Sequence, residues 1–155
     1  MEKLKIGDQA PEFKIFDQNN HEVTLTGLKG KKVILYFYPK DNTPGCTSEA
    51  CNFRDNYQYW INKGYTILGI SPDSIKSHQN FIEKFDLPFT LLSDPDKEVI
   101  KAYGAWGPKK LYGREYEGLI RSTFVLNEAG VVEDIFTNVK TKEHTEQIIK
   151  KLKLD

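Results

Sequence analysis

Apolar positions along the chain fall into short runs that switch between a period of two and a period near that of a helix, and this switching sets out the expected elements. Phe13-Lys14-Ile15-Phe16 and Glu22-Val23-Thr24-Leu25 are strand-like pieces on either side of the polar turn Asp17-Gln18-Asn19-Asn20-His21, which predicts an N-terminal hairpin. Val33 to Tyr38 is unbroken apolar sequence rich in β-branched and aromatic residues, the pattern of a strand buried on both faces, and Pro39 ends it. Thr43-Pro44 then opens a helix, because a threonine hydroxyl can accept an orphan N–H and proline is tolerated at the first helical position; this helix is expected to run to Lys63 and stop at Gly64. Tyr65 to Ile70 reads as the next buried strand.

The second half continues the alternation. Ser71-Pro72-Asp73 predicts a helix through Phe85 with Ile75, Phe81, Ile82 and Phe85 on its apolar face, and Pro88 bars its extension. Phe89 to Leu92 is a brief strand, and Asp94-Pro95 opens a third helix through Tyr103, closed near Gly104. Ala105 to Gly118 reads as a long polar loop whose Trp106, Tyr112 and Tyr116 either rim an entrance or pack in the ordinary way. Leu119 to Leu126 and Val131 to Phe136, joined by a turn at Asn127-Glu128-Ala129-Gly130, read as a hairpin, and Thr141 starts a last helix with Ile148, Ile149 and Leu152 inward. Three strand-to-helix units in succession predict an α/β protein with a parallel core.

Composition narrows the class. A chain of 155 residues fits one domain, residues 1–155, with a single sizeable core. With 22 basic and 22 acidic side chains the formal net charge is zero, so no global field draws it to nucleic acid or to an anionic membrane. The start Met1-Glu2-Lys3-Leu4-Lys5-Ile6 lacks the apolar core of a signal peptide and no later window approaches a membrane span, which makes a cytoplasmic location the expectation. Lys29, Lys31 and Lys32 form a small basic run that reads as a solvated loop. His21, His78 and His144 lie far apart on polar segments and form no tetrahedral ligand set with the cysteines, so each is expected at the solvated surface and neither a metal nor a cofactor is expected.

The candidate chemistry sits where the buried strand gives way to the first helix. The chain's two cysteines, Cys46 and Cys51, both follow this junction, too few for a disulfide scaffold and close enough for a redox role. Cys46 falls in the first helical turn, where unpaired N–H groups and the positive end of the helix dipole favour the ionised thiolate. On an undistorted helix two residues with this spacing have Cα atoms roughly 8–9 Å apart, on faces about 140° apart. A disulfide needs roughly 4.4–6.8 Å. The pair can therefore bond only if the start of the helix unwinds, which suits a transient bond. From the spacing alone, two buried structural thiols remain an equal alternative.

The run Pro39-Lys40-Asp41-Asn42-Thr43-Pro44-Gly45-Cys46, with Cys51 after it, resembles the active-site segment of the peroxiredoxins, and within them the bacterioferritin comigratory protein or PrxQ subgroup. Gly118-Leu119-Ile120-Arg121-Ser122-Thr123-Phe124-Val125-Leu126 is similar to the strand that delivers the family's active-site arginine, here Arg121. The resemblance covers most of the chain. It implies a thioredoxin-like fold, with a central mixed β-sheet flanked by helices and an N-terminal β-hairpin extension. It further implies a peroxidase in which the Cys46 thiolate attacks a hydroperoxide to give a sulfenic acid, Cys51 resolves it as an intramolecular disulfide, and thioredoxin or a similar dithiol reduces the disulfide. Pro39 would shield the thiolate from bulk water, and Thr43 and Arg121 would stabilise the sulfur and the departing oxygen. Glu49, one turn beyond Cys46, either bonds the backbone, orients Arg121 or is solvated. With the resolving thiol on the same chain a monomer suffices, and a dimer stays open. Two other functions compete on the same fold: a thiol-disulfide oxidoreductase, disfavoured by the wide cysteine spacing and by Thr43, and a partner-binding module that uses the cysteines as a redox sensor.

Overall fold

The computed structural model describes residues 4–154, apart from the side chain of Leu111; the first residues of the polar start, Met1 to Lys3, lie outside them. The predicted N-terminal hairpin is β1 (Lys14–Asp17) paired antiparallel with β2 (Glu22–Thr24). The buried strand is β3 (Lys32–Phe37), followed by α1 (Pro44–Asp55), α2 (Tyr57–Asn62) and β4 (Tyr65–Ser71). Next come α3 (Ile75–Phe85), β5 (Thr90–Ser93) and α4 (Glu98–Ala102). The chain ends with β6 (Trp106–Leu111), β7 (Arg114–Leu119), β8 (Ser122–Leu126), β9 (Val132–Phe136) and α5 (His144–Leu152).

Seven strands form one mixed sheet in the order β2-β1-β5-β4-β3-β8-β9, with β3, β4 and β5 parallel and β8 antiparallel to β3. β3 explains why the sheet is buried on both sides. Val33, Leu35 and Phe37 join one core layer with Phe13, Leu25, Val99, Ile100 and Tyr103. Ile34, Tyr36 and Tyr38 point into the other, with Phe53, Trp60, Phe81 and Ile148 from α1, α2, α3 and α5. The alternation of a strand thus assigns each neighbouring side chain to a different layer. Gly69, opposite Tyr36 in β4, is required there: a Cβ would lie 2.8 Å from the Tyr36 ring and from Leu91.

Several boundaries differ from the sequence expectation. The first helix is not continuous to Lys63 but breaks at Asn56, whose side chain folds back to donate to the Asn52 carbonyl at 2.8 Å. α3 begins after Ser74, which accepts the Ser77 N–H, rather than at Ser71-Pro72. Asp94 still serves α4 from a distance by accepting the Ile100 N–H at 2.8 Å, but helix starts only at Glu98. α5 starts at His144 rather than Thr141. The segment expected to be a loop, Ala105 to Gly118, is mostly the two-stranded ribbon β6-β7, turning through Tyr112 and Gly113, both with positive φ. Leu119 to Leu126 is likewise two strands, split around Ile120 and Arg121.

Candidate active site

The junction of β3 and α1 lies at the carboxyl ends of the parallel strands, where open α/β sheets place their sites. Thr43 has the extended conformation of a helix N-cap, and Pro44 stands at the start of the helix. Its carbonyl accepts the Thr47 N–H at 2.8 Å, but its hydroxyl does not take up an orphan N–H of α1; it donates to the Lys40 carbonyl at 2.9 Å, which folds the loop and leaves the first-turn amides free to face an anion. Cys46 belongs to that first turn, with 1% of its surface exposed. Pro39, half-buried, opens the loop.

Arg121 enters from the break between β7 and β8. Its Nη2 lies 3.2 Å from Cys46 Sγ and its Nη1 donates to Glu49 Oε1 at 2.5 Å, so the planar guanidinium bridges the thiol to a carboxylate one helical turn further on. Burial works against the Arg121 charge, yet Glu49 and Cys46 hold its pKa above the usual arginine value. Glu49 is fully buried, and burial pushes its carboxyl up to about 7 against the pull of Arg121. Its other oxygen, Oε2, has no hydrogen-bond partner among the described residues and faces His144 Nε2 at 4.0 Å.

His144 corrects one sequence expectation and His78 another: both are fully buried rather than solvated, whereas His21 is exposed. The orientation of His144 follows from its partners. Gln147 Oε1 accepts the Lys140 N–H, so it also accepts from His144 Nδ1 at 2.9 Å, which leaves Nε2 to accept the Thr123 hydroxyl at 2.8 Å. Burial, opposed by the Gln147 bond, lowers the His144 pKa to about 4, so the ring is neutral at ordinary pH. The signal for these histidines was in the helical spacing: His78 shares the face of Ile75 and Phe81, and His144 that of Ile148.

Cys51, half-buried, lies on α1 with Cys46, and both are free thiols. The next residue, Asn52, ties this helix to α5: its Oδ1 accepts the Thr145 N–H at 2.7 Å and its Nδ2 donates to the Lys142 carbonyl at 3.1 Å and to Glu146 at 3.3 Å. α5 has no side-chain cap of its own, so Asn52 caps it from across the interface. The structure therefore gathers Cys46, Glu49 and Arg121 into direct contact, with Thr43 and Pro39 on the adjoining loop. Trp106, Tyr112 and Tyr116 belong to the ribbon, and Tyr112 is 95% exposed.

Comparison with known proteins agrees with this geometry. Residues 6–135 match the AhpC/TSA family. The chain is 47% identical over 152 residues to a putative peroxiredoxin bcp of Helicobacter pylori, spanning 98% of this chain and 100% of that one. It is 42% identical over 153 residues to peroxiredoxin Bcp of Escherichia coli, spanning 99% and 98%. Among solved structures, a cysteine-to-serine mutant of PrxQ from Xylella fastidiosa superposes with a TM-score of 0.90 at 32% identity, covering 99% of this chain and 98% of that one. Peroxiredoxin Q from Xanthomonas campestris gives 0.85 at 36% identity, covering 91% and 90%. A thiol held by a guanidinium at a helix start, in a chain this similar throughout, means that the protein belongs to the peroxiredoxins of the AhpC/TSA family, in their Bcp/PrxQ branch, and is a cysteine-based thiol peroxidase.

Proposed function

We propose that Cys46 is the thiol that attacks the peroxide and Cys51 the thiol that resolves it. The observation that carries this is the Arg121 guanidinium, which reaches Cys46 Sγ at 3.2 Å while Glu49 holds its other end. In the first step the Cys46 thiolate forms a bond to the distal oxygen of a hydroperoxide as the O–O bond breaks. Cys46 becomes a sulfenic acid, and the departing alkoxide or hydroxide takes a proton to leave as alcohol or water. Arg121 and the first-turn N–H groups stabilise sulfur before attack and oxygen charge during it. Thr43, folded onto Lys40, and Pro39 wall the sulfur from water. Cys51 then displaces water from the sulfenic acid to give the disulfide, and a thioredoxin-type dithiol returns both thiols by exchange. The cycle closes within one chain, as a single domain acting as a monomer in the cytoplasm, and involves neither nucleic acid nor a membrane. Among the described residues no helix is long and apolar enough to cross a membrane.

The test is mass spectrometry under non-reducing conditions after one equivalent of hydrogen peroxide, with thiols blocked, followed by thioredoxin. A Cys46–Cys51 crosslink with the loss of about two protons, reversed by thioredoxin, is expected. Cys46→Ser should abolish peroxide consumption and Cys51→Ser should stop the cycle at the sulfenic acid. Peroxide consumption that survives Cys46→Ser refutes the assignment.

A further inference from the structure

Outside the thiol site lies a second buried polar cluster, built where α3 meets the β3-α1 loop. His78 on α3 is fully buried, and both of its ring nitrogens face acceptors: Nε2 lies 3.0 Å from the Leu92 carbonyl of β5, and Nδ1 lies 2.7 Å from Asp41 Oδ2. Asp41 is itself buried and accepts two further bonds, from the Tyr38 hydroxyl at 2.5 Å and from the Ser77 hydroxyl at 2.8 Å. Its backbone N–H donates to Asp73 Oδ2 at 2.8 Å, an oxygen that also accepts the Ser71 hydroxyl at 2.7 Å. Asp41, Asp73 and His78 lie close enough together to hold a cation, but the bonds just named use them on one another.

Proton counting decides the state of this cluster. A carbonyl oxygen can only accept, so His78 Nε2 carries hydrogen. A neutral ring would then present a bare lone pair to a carboxylate oxygen at Nδ1, which a separation of 2.7 Å does not permit. The pair therefore holds one more proton and is electroneutral as a unit. Tyr38 and Ser77 also donate to the carboxylate, so the shared proton completes a cluster in which every polar side-chain atom named has a partner.

Asp41 stands between Pro39 and Thr43, on the loop that sets where α1 begins and hence where Cys46 lies. The same loop is strained at Asn42, with φ 59°, and Lys84 of α3 reaches Asn42 Oδ1 at 3.2 Å. We propose that His78 is a positioning residue of the peroxidase site, a ring clamped between β5 and Asp41 that locks the loop carrying Pro39 and Thr43 against Cys46. The proposal rests on Cys46 being the thiol that attacks peroxide. Without the clamp, the loop and the first turn of α1 lose their fixed place, which slows peroxide attack but not the later unwinding that brings Cys51 to the sulfenic acid.

Three measurements on the reduced full-length chain test this. Nitrogen-15 spectra of labelled histidine should show His78 Nε2 carrying hydrogen and Nδ1 held in a hydrogen bond; an Nδ1 with a free lone pair, or an Nε2 without hydrogen, overturns the proposal. His78→Leu should slow Cys46 oxidation by about tenfold or more, as expected when a reacting group is misplaced, with formation of the disulfide from the sulfenic acid unchanged or faster. His78→Asn, which returns a donor near the Nδ1 position, should restore most of the rate. Oxidation of His78→Leu within about twofold of the parent overturns the proposal, as does equal slowing of both steps. Should His78→Leu fail to fold, Asp41→Asn takes its place: it removes the carboxylate that His78 Nδ1 faces at 2.7 Å and should likewise slow Cys46 oxidation by about tenfold or more, and oxidation within about twofold of the parent overturns the clamp. The parent protein in the same assay checks the underlying assignment separately, because a parent not oxidised at Cys46 refutes that reading rather than this one.

Discussion

Replacing Asn52 by alanine should change the redox balance of the cysteine pair without touching either sulfur. Asn52 caps α5 by accepting the Thr145 N–H at 2.7 Å, and it donates to the Lys142 carbonyl at 3.1 Å. Loss of an asparagine cap costs about 1–2 kcal/mol at a partly buried helix end. That cost falls on the dithiol form alone, because a Cys46–Cys51 bond cannot form on the intact α1 and the unwinding it requires, which begins at the start of the helix, must extend to Cys51 beside Asn52. Destabilising the dithiol form makes the disulfide harder to reduce. For a two-electron couple the expected shift is about 20–45 mV towards more negative potential. The assay is equilibration of Asn52→Ala and its parent in graded thiol-disulfide buffers with quantitation of alkylated thiols, together with urea unfolding of each redox form. An equal loss of stability in both forms, with no change in potential, would refute the reasoning and place Asn52 outside the moving segment.

Two further predictions follow from the buried titrating groups. Glu49 has its carboxyl raised from 4.5 to about 7, so its contribution to stability is fully present below 4.5 and is lost as pH rises through about 7, when a buried charge must be held. Glu49→Gln should remove an inflection near 7 from the pH profile of Cys46 oxidation and, lacking the carboxylate anchor for Arg121, should oxidise about ten- to a hundredfold more slowly at alkaline pH; stopped-flow kinetics that keep the inflection would count against this. His144, lowered from 6.5 to about 4, contributes stability that is full above 6.5 and falls as pH drops through 4, by at most about 3 kcal/mol. His144→Asn should be less stable than the parent at pH 8 but lose less between there and acid, measured by chemical denaturation; parallel curves would show that the ring titrates alike folded and unfolded.

The parts of the molecule written in one local signal were legible beforehand. β3, the thiol position at the start of the first helix, and the α/β order all follow from apolar runs broken by Pro39 and Thr43-Pro44, because a strand buried on both faces and a proline stop are each set by the residues themselves. The β6-β7 ribbon was not, since Gly107, Pro108 and the lysines break the alternation, and its turn carries Tyr112 where asparagine or aspartate would have marked it. Among the site residues, Cys46 and Cys51 stood out by spacing, whereas Arg121 was singled out only by resemblance and its reach to the thiol comes from a break between strands distant in sequence. His78 and His144 were misread because a charge-capable residue within a polar stretch looks solvated until its place on the apolar face is weighed. Burial of each is then made tolerable by partners, Asp41 and Leu92 for one and Thr123 and Gln147 for the other, that no local window contains.

The division of β3 between two core layers also tells an experimenter where the protein can be handled. The segments that the proposed cycle would rearrange, α1 with the α5 end it caps, pack on the layer holding Tyr36, Phe53 and Ile148. The N-terminal hairpin, an edge of the sheet, turns Ile15 and Val23 to the opposite layer, where α4 packs around Phe13, Leu25 and Ile100. On the proposed cycle the sheet would act as a partition between a stationary half and a working half. A fluorophore, surface linker or fusion attached through the β1-β2 hairpin should leave catalysis and thiol exchange undisturbed, whereas the same attachment on the outer face of α5 would report on, and load, each turn of the cycle.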